Sequence, residues 1–285
     1  MSHQHRPQPV PVRSAGPVPD APAPPADERP ALGVRGLVRV FGRPGGPEAK
    51  VAVDRVDLDV PRGSFFGLVG RNGAGKTTML SMATGLLRPT AGRVRVAGVD
   101  VWAEPRRAKQ LMGVLPDGLH LFDRLTGRQL VTYSGLLRGM DREVVAERTE
   151  DLLRAMDLVA DAGTQVQDYS AGMTKKIALA GALIHAPSLL VLDEPFESVD
   201  PVSAANIREI LHGFVAAGGT VVVSSHVMDL VQRMCDHVAV MDQGRVLAAG
   251  TVDDVRAGAT LEDRFVELVG GRRDTGEGLS WLRPE

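Results

Sequence analysis

The run Gly70-Arg71-Asn72-Gly73-Ala74-Gly75-Lys76-Thr77-Thr78 carries the spacing GxxxxGK[ST]. Glycines at that spacing let successive backbone N–H groups turn inward onto phosphate oxygens, and a helix opening directly behind them adds partial positive charge. Lys76 is suited to neutralising β- and γ-phosphate charge, and the Thr77 hydroxyl to binding Mg2+. All nine residues are therefore candidates for holding a nucleoside triphosphate. A glycine-rich turn with an accidental lysine would share the composition but not the flanks, an apolar strand-like run over 64–69 and a helical pattern after Lys76.

A phosphate loop alone leaves kinases, GTPases and many ATPases open. A second constellation narrows the choice. Leu189-Leu190-Val191-Leu192 reads as a buried strand that ends in Asp193-Glu194. Asp193 at such a strand end can reach magnesium, and Glu194 is placed to take a proton from an attacking water. Between the two lies Tyr169-Ser170-Ala171-Gly172-Met173, whose serine precedes Asp193 by 23 residues and opens a helical pattern over 173–185. A serine hydroxyl, a glycine N–H and a helix N-terminus make a second phosphate-binding surface. A serine-capped helix without a ligand would use the same residues.

The order of these motifs resembles the ABC (ATP-binding cassette) family, whose signature is usually written LSGGQ. The resemblance spans roughly residues 33–270 and implies ATP as the nucleotide and Mg2+ as its ion. It implies that Ser170, Gly172 and Met173 meet the γ-phosphate held by another subunit, and that Asp200 in Glu197-Ser198-Val199-Asp200 is the D-loop aspartate. It further implies that His226, 32 residues after Glu194, is the switch histidine acting beside the catalytic Glu194, and that Phe41 stacks on adenine. Asp117, after Pro116, occupies the Q-loop and becomes a candidate magnesium ligand beside Thr77 and Asp193. The family carries Gln there, or often Glu in exporter-like members, so Asp117 keeps an oxygen but shortens the reach. Pro116-Asp117-Gly118 is equally well suited to a plain turn. Ala171 replaces the first signature glycine. Gly181 stands inside a helix where Arg is usual, costing about 1 kcal/mol against Ala. Tyr-Ser-x-Gly-Met and Thr260-Leu261-Glu262-Asp263-Arg264-Phe265 look like the drug- and polysaccharide-exporter branch.

Elements must position these residues. Short apolar strands at 64–69, 189–192 and 220–224, each followed by a helical stretch, predict a mainly parallel α/β sheet. Alternation over 36–41 and 51–60 predicts two further strands with a turn at 42–47, and 92–99 another with Gly98 as a turn signal. The helix after Lys76 is expected to run to about Pro89. Spacing is helical from Thr126 to Ala160, with Leu152, Leu153, Met156 and Val159 on one face, and the helix-only stretch at 120–180 argues for an inserted helical subdomain. Leu261, Phe265, Leu268 and Val269 predict a last amphipathic helix. The expected fold is a P-loop NTPase (RecA-like) core with an antiparallel β subdomain and an inserted α-helical subdomain at about 118–180. The cassette is expected over 32–255, with a helical extension over 256–285.

Residues 1–31 hold nine of the nineteen prolines and few large apolar side chains, and are expected to be a disordered tail. His3 and His5 lack further metal ligands nearby. A net charge of -2 gives no reason to expect a nucleic-acid partner. Cys235, the only cysteine, excludes an intramolecular disulfide and suits a reducing compartment. No apolar run approaches the roughly 20 residues that span a bilayer, and the N-terminus lacks a secretory core. By resemblance the chain would work at the cytoplasmic face of a membrane, paired with a second ATP-binding subunit, a homodimer being favoured, and docked on a separate permease. An ABC-type clamp or regulator without a permease is the alternative, but such proteins mostly carry two cassettes or a long coiled coil. A GTPase reading lacks an Asn-Lys-x-Asp base-reading motif.

Overall fold

The computed structural model describes residues 29–43, 46, 48–118 and 120–271. The tail expected over 1–31 lies almost wholly outside the described residues, as does the part of the C-terminal extension after Gly271.

The chain begins with strands β1 (Leu32–Phe41), β2 (Lys50–Val60) and β3 (Phe65–Val69), then helix α1 (Lys76–Ala83). Strands β4 (Ala91–Val96) and β5 (Val99–Asp100) follow, then α2 (Pro105–Leu111) and β6 (Met112–Leu115). Helices α3 (Gly127–Leu137), α4 (Arg142–Ala155) and α5 (Ala171–Leu183) come next, before β7 (Leu189–Asp193). The rest is α6 (Pro201–Ala216), β8 (Thr220–Ser225), α7 (Met228–Met234), β9 (His237–Asp242), β10 (Arg245–Thr251), α8 (Val252–Arg256) and α9 (Leu261–Leu268).

Two sheets result. One is antiparallel, ordered β2-β1-β4-β5, and the other has six strands ordered β10-β9-β3-β8-β7-β6. Within the larger sheet β9, β3, β8, β7 and β6 run parallel, and β10 closes one edge as an antiparallel hairpin partner of β9. Strands β3, β7 and β8 are buried along their whole length, as parallel strands covered on both faces must be. Alternate residues feed two cores. Phe66, Leu68, Leu189 and Val191 face α1 and the antiparallel sheet. Phe65, Val69, Leu190 and Leu192 face the side covered by α3, α5 and α6.

Caps set the helix starts. Thr126 and Gln129 form a reciprocal capping box on α3, and Asp141 caps α4. The helix opened by Lys76 ends at Ala83 rather than near Pro89. There the Thr84 hydroxyl turns back onto the Leu80 carbonyl at 2.8 Å and Gly85 takes φ 74°. Val159 departs from the expected apolar face. Helix α4 stops at Ala155, Asp157 turns with φ 55°, and Val159 is left 50% exposed while Leu153 and Met156 are fully buried. Gly181 has a structural reason: a Cβ there would stand 3.1 Å from the Ser134 hydroxyl of the neighbouring α3.

Candidate phosphate-binding and hydrolytic site

Strand β3 delivers the chain at Gly70, and α1 starts at Lys76, so residues 70–75 form the loop between a buried strand end and a helix N-terminus. Close packing requires its glycines. A Cβ on Gly70 would fall 2.4 Å from the Met241 carbonyl, and Gly75 takes φ 104° with the Ala52 carbonyl 2.5 Å from where its Cβ would be. The Ala74 N–H donates to the Arg71 carbonyl at 3.0 Å, closing the turn. Lys76 is buried and reaches back across its own loop, its Nζ donating to the Gly70 carbonyl at 2.7 Å and lying 3.5 Å from the Arg71 carbonyl. Arg71, Asn72 and Gly73 form the exposed lip, and Thr77 is exposed beyond it.

Asp193 and Glu194 arrive beside this loop at the end of β7. The Ser224 hydroxyl on β8 donates a short hydrogen bond to the Asp193 Oδ1, and the Glu194 N–H donates to the same Ser224 Oγ at 2.9 Å. Ser224 thus orients both acids, a role the sequence reading missed; its place in the Ser-Ser strand end just before His226 was the available signal. Burial pushes the Asp193 carboxyl above the ordinary aspartate value; hydrogen bonds from Ser224 and Thr77 oppose that, and the charges of Asp117 and Glu194 add to it. Glu194 adopts φ 45°, an uncommon backbone for a side chain with a Cβ. Its carboxylate is 12% exposed and bracketed, with Lys76 Nζ 3.5 Å from Oε1 and His226 Nδ1 3.2 Å from Oε2. Lys175, on α5, donates to the Glu194 carbonyl at 3.1 Å, another contact the motifs did not reveal.

Asp117 stands near this cluster. A cavity of about 40 Å3, wider than the ~10–15 Å3 one water needs, is lined by Thr77, Pro116, Asp117 and Asp193 among others. The Asp117 Oδ1 accepts from the Gly118 N–H at 2.8 Å, so the residue also shapes its own turn. Thr77, Asp193 and Asp117 are a fitting donor set for a divalent ion: oxygen atoms around a buried carboxyl that burial disfavours as an anion. Among the described residues no three His, Cys, Asp or Glu side chains form a cage by themselves. Magnesium takes one or two carboxylates together with substrate phosphates rather than such a cage.

The remaining candidates form a second cluster. Ser170 caps α5, its Oγ accepting from the Met173 N–H at 3.2 Å. Asp200 caps α6, its Oδ1 accepting from the N–H groups of Val202 at 3.1 Å and Ser203 at 2.9 Å, and these bonds hold its carboxyl below the usual aspartate value. The two helix starts touch at Gly172, where a Cβ would lie 2.7 Å from Ser203 Oγ and 2.8 Å from Asp200 Oδ2. Among the described residues no hydrogen bond or ion pair joins Ser170, Gly172, Met173 or Asp200 to residues 70–78. Phe41 ends β1, 39% exposed, with the Arg39 guanidinium 4.6 Å from its ring centroid. That ring is presented at the surface, away from either core.

The family model described as "ABC transporter" matches residues 53–197. The chain is similar to the ABC transporter ATP-binding protein NatA of Bacillus subtilis (strain 168), 37% identical over 213 residues, which cover 74% of this chain and 87% of NatA. It is also similar to the daunorubicin/doxorubicin resistance ATP-binding protein DrrA of Streptomyces peucetius, 34% identical over 227 residues, covering 80% of this chain and 67% of DrrA. Among solved structures, one described as an ATP binding subunit of an ABC transporter superposes with TM-score 0.75 at 29% identity, covering 84% of this chain and 99% of that one.

Proposed function

Because this chain belongs to the family of ABC transporter ATP-binding proteins, we propose that it drives a separate membrane permease exporting a drug-, lipid- or polysaccharide-like molecule. The observation that carries the hydrolytic half is the placement of Glu194. Its carboxylate, nearly buried, sits between the phosphate-loop Lys76 and His226, where a base acting on a water at the γ-phosphate must sit. In this reading the loop N–H groups of residues 70–78 bind the phosphates, and Lys76 exchanges the Gly70 carbonyl for phosphate oxygen. Glu194 accepts the proton of the attacking water, and His226 and Ser224 hold Glu194 in place. Thr77 and Asp193, with Asp117 at the edge, would hold a magnesium ion, which supplies charge stabilisation at the phosphates. Phe41 offers its ring to the adenine.

The second cluster supports a pair of chains. Ser170, Gly172 and Met173 present a capped helix N-terminus that has no polar contact with the phosphate loop of its own chain, so its phosphate would come from a second subunit packed head-to-tail. A homodimer is the simplest such assembly. The transport path is assigned to a separate partner, with this chain at its cytoplasmic face; among the described residues no helix is long and apolar enough to cross a membrane. Resemblance to a daunorubicin/doxorubicin resistance protein favours export.

The test is to isolate the tagged chain from membranes of its own host and reconstitute what comes with it. A retained integral membrane protein that raises ATP turnover in vesicles is the expected result. A chain that retains no membrane protein, with turnover unaltered by membranes, would overturn the proposal in favour of an ABC-type regulator.

A further inference from the structure

The last described helix reaches back to the phosphate loop. Phe265, 5% exposed on α9, lies beneath Arg71, whose Cζ is 5.7 Å from the ring centroid. That is within the roughly 6 Å over which a guanidinium is drawn to an aromatic face. Arg71 is not an incidental loop residue. Its carbonyl closes the loop turn by accepting from the Ala74 N–H at 3.0 Å, and it lies 3.5 Å from Lys76 Nζ. A contact that fixes Arg71 therefore fixes the residue around which the loop folds.

The other end of α9 is tied to the second half of the site. Thr260 caps the helix, its Oγ1 accepting from the Asp263 N–H at 3.0 Å. The Leu261 N–H donates to Gln232 Oε1 at 2.7 Å, and Gln232 lies on α7, the helix that starts two residues after His226. Arg71, His226, Met228, Phe265 and Val269 line one open groove of about 560 Å3 where the three elements meet. Loop, histidine and C-terminal helix thus share a boundary, and Phe265 is the side chain that touches the loop across it.

We propose that Phe265 is a positioning residue for ATP binding. It holds Arg71, and through it the phosphate loop, in the shape that receives nucleotide, while α9 braces that loop against α7, the helix that follows His226. The inference rests on the ATPase reading above. Removing the ring leaves the loop to be ordered at the moment of binding, which weakens affinity without touching the hydrolytic groups.

The test uses the full chain, with the dissociation constant for ATP measured by titration and turnover measured separately. Phe265→Leu keeps apolar volume and loses the aromatic face; it should raise Kd and KM for ATP about fivefold, the ratio a surface cation–π contact gives, with kcat within about twofold of the parent. Phe265→Tyr should restore both to near the parent. Arg71→Ala should weaken ATP similarly, and adding Phe265→Leu to it should cause little further loss. Leu153→Ala, buried in α4 where that helix packs on α3 and α5, controls for stability. The inference is overturned if Phe265→Leu leaves Kd unchanged, if Tyr fails to rescue, or if Leu153→Ala raises Kd as much at an equal loss of melting temperature. A parent that binds ATP without turnover would sink the hydrolytic reading instead, and the effect of Phe265 on Kd would still decide this one.

Discussion

Gly172→Ala should disconnect the start of α5 from the start of α6, and the size of the effect follows from two distances. The added Cβ would lie 2.7 Å from Ser203 Oγ and 2.8 Å from Asp200 Oδ2, both well inside van der Waals contact. Neither neighbour is a loose side-chain end. Asp200 is held through its other oxygen by the N–H groups of Val202 and Ser203 at 3.1 and 2.9 Å. The backbone of Gly172 lies inside α5, so the side chains must give way, and the least costly movement swings Asp200 out of its capping position. Loss of such a cap in a domain of this size lowers the melting temperature by about 2–4 °C. Alanine's better helix propensity works in the opposite direction, by at most about 1 kcal/mol in a helix interior and less in the first turn where Gly172 sits. The net melting shift of the single variant is therefore small, and a double-mutant cycle is the sharper assay. Asp200→Ala should lower the melting temperature by about 2–4 °C in the parent and by less than half that in Gly172→Ala, where the cap is already displaced. ATP turnover should fall in Gly172→Ala, because the starts of α5 and α6, proposed to meet the phosphates of a second subunit, would no longer pack as they do. Equal Asp200→Ala effects in the two backgrounds, with turnover intact, would refute the reasoning.

Two further outcomes follow from the acids around Thr77. Burial raises the Asp193 pKa in the folded chain, so its ionisation opposes folding: this group's contribution is most favourable below the unfolded aspartate value and is lost as pH rises through the raised folded one. Asp193→Asn should therefore raise the nucleotide-free melting temperature at pH 7 while impairing magnesium-dependent ATP turnover. The stability gain should shrink as the pH is lowered, and scanning calorimetry across pH checks the sign. Asp117→Asn keeps the Gly118 turn bond but removes a charge beside Asp193; it should leave ATP affinity within about twofold and weaken permease stimulation. Equal stimulation in both proteins would leave Asp117 as a turn residue only.

Much of this architecture was legible because the chemistry and the strands coincide. The loop at 70–78 and the pair Asp193-Glu194 each sit at the end of a short, wholly apolar run, and such runs have few alternatives to a buried parallel strand. Other elements were hidden for physical reasons. Strand β6 is four residues long and follows α2 with no turn between them, so neither periodicity had room to register. The β9–β10 hairpin did carry a signal that went unread: Gln243-Gly244, with φ 46° and 79°, is the paired left-handed turn that joins two strands. Val159 was misplaced because periodicity continued past a helix end fixed by backbone geometry at Asp157. The Lys175–Glu194 and Arg71–Phe265 contacts join residues 19 and 194 positions apart. Such contacts are products of topology and have no local pattern to betray them.

Glu194 is proposed as the base in hydrolysis of the ATP held by the Lys76 loop. The most direct test of that role compares turnover and nucleotide affinity in the parent and in Glu194→Gln. The amide retains the size and hydrogen-bonding reach of the side chain between Lys76 and His226 but cannot accept the proton of water. Single-turnover hydrolysis should fall roughly 10²–10⁴-fold, with ATP affinity equal to or tighter than that of the parent and ATP remaining uncleaved in the complex. Hydrolysis by Glu194→Gln at near the parent rate would contradict that role.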